Sequence, residues 1–91
     1  MQYYMIEYQH EEMDEPWRVI LELNDQRCIQ RRVNCYRMGL EEAVEVDDNT
    51  PTDVEELAGL DGKVITLNRM QFEDMWDHSQ YMPDTFMGLF Y

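Results

Sequence analysis

Trp17-Arg18-Val19-Ile20-Leu21-Glu22-Leu23-Asn24-Asp25-Gln26-Arg27-Cys28-Ile29-Gln30-Arg31-Arg32-Val33-Asn34-Cys35-Tyr36-Arg37-Met38 is the stretch whose reading decides the fold. Trp17, Val19, Leu21 and Leu23 alternate with Arg18, Ile20 and Glu22, the period of two that marks a strand. Asn24-Asp25-Gln26 supplies a hairpin turn, because Asn and Asp tolerate turn geometry and bond their own backbone. A return strand then runs over 27–38, with Ile29, Val33 and Cys35 on one side. Arg31 shares their parity, and a charge on a core-facing side requires a carboxylate. Glu22, across the hairpin, is the partner this register offers.

Upstream, Tyr4, Ile6 and Tyr8 alternate with Met5, Glu7 and Gln9, so a strand spans 3–10. A polar loop from His10 to Pro16 follows, and Pro16 delays the next strand because it cannot donate to a ladder. Downstream, Met38-Gly39 turns the chain into a fourth strand over 41–46, where Val44 and Val46 share a face. Asp47 to Pro51 breaks the pattern. Thr52-Asp53-Val54-Glu55 fits a capping box, opening a short helix near Asp53 that ends at Gly59 or Gly62. Val64–Leu67 is a short extended piece. Asn68 and Gln71 open a second helix through Ser79, with Leu67 and Phe72 placed as a hydrophobic staple. Phe72, Met75 and Trp76 define its apolar face. The expectation is one α+β domain over 1–91. A three- to four-stranded antiparallel meander (3–46) is covered on one face by one or two C-terminal helices (52–79), with Trp76 buried. An apolar tail, 80–91, either docks on its own domain or makes a dimer or partner contact.

Seven basic against twenty acidic residues give a formal charge of −13 over 91 positions. That balance excludes binding nucleic acid through its phosphates, which needs clustered Lys and Arg. Residues 1–46 hold ten acids and five arginines; 47–91 hold ten acids against Lys63 and Arg69. The negative field is therefore concentrated in the C-terminal half. Arg27, Arg31, Arg32 and Arg37 put a cationic strip on the third strand, read as solvated cross-strand pairs. No apolar run approaches the ~18 residues of a membrane span, and the N-terminal stretch has no secretory pattern. Cys28 and Cys35, about 23 Å apart along one strand, cannot be bridged and suit a reducing cytoplasm.

His10 with Glu11, Glu12, Asp14 and Glu15 is the densest polar cluster, but no nucleophile or second His stands at a fixed spacing to it. It reads as a solvated loop. Asp47-Asp48 lacks the calcium-loop spacing, no CxxC or HxxxH is present, and no phosphate-binding or nucleophile motif occurs. No cofactor, metal or enzymatic activity is expected.

Several landmarks fall in one order: His10, Asp14-Glu15-Pro16, Glu22 to Arg27, Arg31-Arg32-Val33, Tyr36-Arg37, Gly39, then Phe72-Glu73 with Trp76. This order resembles a family of small acidic bacterial and phage proteins catalogued only as a domain of unknown function. Tyr8 stands where members often carry Trp, and Asn68 replaces a capping Ser. The resemblance spans about residues 3–78, so the tail is an extension of it. It implies no activity, and it hints at immunity or anti-defence roles. With the charge, the expected function is an inhibitor that occupies a basic, nucleic-acid-engaging surface of a partner protein. Asp47, Asp48, Asp53, Glu55, Glu56 and Asp61 make the contact, and Trp17, Trp76 or the tail supply apolar anchors. The alternative is a structural or regulatory interaction domain without inhibitory role, homodimeric through the tail.

Overall fold

The computed structural model describes residues 1–47 and 49–80 in full and 81–88 as backbone. In chain order the elements are β1 (Gln2–Tyr8), β2 (Arg18–Leu23), β3 (Ile29–Cys35), β4 (Glu41–Glu45), α1 (Val54–Ala58), β5 (Gly62–Leu67) and α2 (Arg69–Gly88). The strands form one antiparallel sheet in the order β4-β3-β2-β1-β5. The α+β class and the β1–β4 meander agree with the sequence reading. The strand number does not. The short extended piece at Val64–Leu67 is a fifth full strand, pairing with β1 from Tyr3↔Leu67 to Tyr8↔Gly62. The N-terminal strand is thereby internal to the sheet.

The covering layer also differs from expectation. Tyr3, Met5, Ile20, Val33, Cys35 and Leu67 pack with Phe72 of α2, flanked by Met75 and Trp76. Ile6, Val19, Leu21 and Leu23 pack on the opposite face with Val54 and Ala58 of α1. The two helices therefore lie on opposite faces instead of sharing one. That arrangement explains β2, which is buried from Val19 through Leu23 and reads as a nearly unbroken apolar run. Phe72 is fully enclosed, whereas Trp76, expected in the core, is only half-buried.

One irregularity reassigns a side chain. The β2–β3 ladder shifts between Glu22 and Leu23, so that Glu22 faces Arg31 while Leu23 faces Ile29. The extra residue on β3 is a bulge. It turns Ile29 to the α1 face, while Val33 and Cys35 stay on the α2 face. Simple alternation had placed all three together. The strand is also shorter than 27–38: Arg27 sits in the hairpin at φ 64°, and Cys28 precedes the strand. Both cysteines are buried and free.

The second helix starts as its sequence dictates. Gln71 N–H donates to Asn68 Oδ1 (2.8 Å), and Asn68 N–H donates back to Gln71 Oε1 (2.9 Å). It continues past Ser79 to Gly88. At α1 the cap lies one residue later than the capping box suggested. Asp53 accepts from the N–H groups of Glu55 (3.0 Å) and Glu56 (3.3 Å), while the Thr52 N–H donates to the Arg27 carbonyl. Gly62 then brings β5 hard against α1, because a Cβ there would stand 2.5 Å from the Ala58 carbonyl oxygen. The tail's docking or dimer contact falls on side chains from 81 onward, outside the described residues.

Candidate protein-interaction surface

Asp47, Asp53, Glu55, Glu56 and Asp61 are all exposed, and Asp48 lies outside the described residues. The described five form no ion pair among the described residues. Asp53, Glu55 and Glu56 share the first turn of α1, where their charge complements the helix N-terminus. Asp53 and Glu56 also line, with Pro51, Thr52 and Leu57, a shallow cleft of about 430 Å³. The described five do not form one patch. Asp47 follows β4 near the β2–β3 hairpin, where the Val46 N–H donates to the Gln30 carbonyl. Asp61 stands at the opposite end, where Gly62 pairs with Tyr8.

That opposite end gathers residues the sequence keeps apart. Tyr8 pairs with Gly62, Glu7 with Arg18, Arg18 with Cys35, and Cys35 with Glu41. The β1–β2 loop, the β3–β4 turn and the α1–β5 turn consequently project from the same side. Glu11, Glu12, Asp14, Glu15 and Asp61 are exposed there, with the apolar tips of Met13, Met38, Leu40 and the fully exposed Leu60. Leu57, 38 % exposed, lies one turn before Leu60. Sequence reasoning missed these tips. The signal available was apolar residues inside otherwise polar turns.

The acidic loop is held by His10. Its Nδ1 accepts from the Glu12 N–H (3.1 Å), which leaves Nε2 to donate to the Pro16 carbonyl (2.9 Å). Both ring nitrogens are thus engaged in shaping the loop. Arg37 donates twice to the His10 carbonyl, at 3.0 and 2.8 Å. Arg18 and Arg37 both lie over the Trp17 ring, 4.3 and 5.5 Å from its centroid. Trp17 is therefore half-buried beneath cations.

The cationic strip expected on β3 disperses. Arg31 and Arg32 point to opposite faces, Arg27 is in the hairpin and Arg37 beyond the strand end. Arg31 meets the expected Glu22 in a two-pronged contact, at 2.8 and 2.7 Å, and also binds Glu73 of α2. Its guanidinium lies 4.8 Å from the Phe72 and 5.0 Å from the Trp76 ring centroids. Hydrogen bonds donated first to Glu22 and then to Glu73 hold Arg31 charged well above its ordinary range, and Arg31 in turn lowers the Glu73 carboxyl. Trp76, expected as an apolar anchor, lies against this Arg31 clamp. Cys35 is pushed up to about 11, by burial first and then by Glu41, against Arg18. Among the described residues no group of His, Cys, Asp and Glu is arranged to hold a metal ion, and no helix is long and apolar enough to cross a membrane.

The profile of a family described as "Domain of unknown function (DUF6881)" matches residues 2–81. No curated protein and no solved structure matches the chain.

Proposed function

The chain belongs to the DUF6881 family, and we propose that it is a small acidic inhibitor that docks on a basic, nucleic-acid-engaging surface of a partner protein. The observation that carries this reading is a surface in which exposed carboxylates, without ion-pair partners among the described residues, surround exposed apolar tips. Leu57 and Leu60 are set among Glu55, Glu56 and Asp61. Such a surface steers a cationic partner at long range and supplies apolar contact at short range. A partner of toxin or defence type, met in a reducing cytoplasm, is part of the proposal; the two free buried thiols support that compartment. No reaction is required of this protein.

The test is capture of the partner at about 50 mM salt and its loss at about 500 mM, where exposed charges are screened. Assay of the captured protein's nucleic-acid binding with and without this chain follows. Reversal of Asp47, Asp48, Glu56 and Asp61 to lysine keeps the fold and slows association by at least about tenfold at low salt. An unchanged on-rate, or a partner whose nucleic-acid binding is unaffected, overturns the proposal.

A further inference from the structure

The two edges of the sheet are unequal. β4 is short, carries Glu41, Glu42 and Glu45 among its five residues, and lies beside α2. A second β4 laid against it would oppose like charges, a common guard on natural edges. β5 carries no such guard. It is an outer strand of six residues with no proline, no bulge and, among the described residues, no backbone hydrogen bond beyond β1. Val64 and Ile65 are only half-buried; over Ile65 the α2 cover thins toward this edge, while α1 packs on β5 from the other face. Residues 62–69 hold Lys63 and Arg69 and no acid, in a chain of net −13. This edge is where another strongly acidic body meets least repulsion.

We propose that β5 pairs antiparallel with β5 of a second copy, joining two five-stranded sheets into one of ten strands. The two-fold axis must run normal to the sheet, which restricts the pairing to residues of equal parity. The register centred on Ile65 sets Ile65 against its own counterpart, and Lys63 against Leu67 of the other copy. The half-buried Val64 and Ile65 become covered, and the row of free edge groups is paired. This contact is independent of the acidic docking surface and of the tail.

The experiment is sedimentation equilibrium of the full chain up to about 1 mM, at about 50 and about 500 mM salt. A monomer–dimer equilibrium that tightens with salt is expected, since salt screens repulsion between like-charged copies. Thr66→Glu and Lys63→Glu, both at exposed positions, weaken the dimer at least about tenfold. Val44→Glu, which adds the same charge as Thr66→Glu but on the β4 edge, changes it less than about twofold; thermal melts confirm that all three fold. A chain that stays monomeric throughout overturns the proposal. So does a dimer indifferent to both β5 variants, which would place the contact elsewhere, and so does association that grows beyond two.

Discussion

Arg31 concentrates the energetics of the α2 face in one side chain. Glu22 is buried, so removing its cation strands a carboxylate in the core, whereas removing the outer partner Glu73 strands nothing. Arg31→Met is expected to destabilise by about 3–5 kcal/mol, as breaking a buried pair does. Glu73→Gln costs under about 1 kcal/mol. Urea titrations of both variants check this, and equal losses would mean the clamp is not anchored at Glu22. The Glu73 carboxyl is lowered by Arg31, so it contributes stability above its unfolded value and loses it as pH falls through the folded one. The urea midpoints of wild type and Glu73→Gln should therefore converge in acid. Cys35 behaves oppositely. Its thiol is raised from 9.0 to about 11, so its contribution is complete below the unfolded value and fades as pH rises toward and through the folded one. Native Cys35 should accordingly react far more slowly with an alkylating reagent at about pH 8 than the unfolded chain does. Equal rates would contradict its burial.

At the scale of elements, Phe72 is the side chain by which α2 holds the sheet. Phe72→Ala is expected to cost about 3–5 kcal/mol and Trp76→Ala clearly less, because only the first leaves an enclosed cavity. Asn68→Ala removes the cap at about 1 kcal/mol; a chemical-denaturation series ranks the three. These are features that local sequence carries: Asn68 and Gln71 are three residues apart, Leu67 and Phe72 bracket them, and Glu22 and Arg31 meet across one turn. What sequence left hidden depends on distant partners. Val64–Leu67 looks like a fragment until β1 is known to run beside it. The assignment of one buried face failed because β2 is apolar on both sides, which period-two reading cannot divide. Ile29 was misplaced by a bulge that has no residue signature of its own. The acidic site was legible as charge, but its geometry was not. Register alone puts Glu11–Glu15 at the same end as Asp61, and separates Asp61 from Asp47.

For the molecule as a whole, the net charge of −13 sits on a small body and opposes compaction. Raising salt from about 20 to about 500 mM should raise the melting temperature, as screening relieves self-repulsion. A fall on salt addition would mean that the Arg31 clamp and the other ion pairs outweigh that repulsion. Topology sets a different demand, one of time. β1 lies between β2 and β5, and the residues that complete its second ladder are made some sixty positions after it. While the chain is being synthesised, β1 and β2 can join early, but the far side of β1 stays open, with Ile6 without its α1 cover. Non-local pairing of this kind is slow, and unpaired edges of partly made chains invite misassembly. A chain ended at Asp61 should therefore fail to give a cooperative melt. The full sheet closes only when translation has passed Leu67, so the last strand to emerge is the one that secures the first.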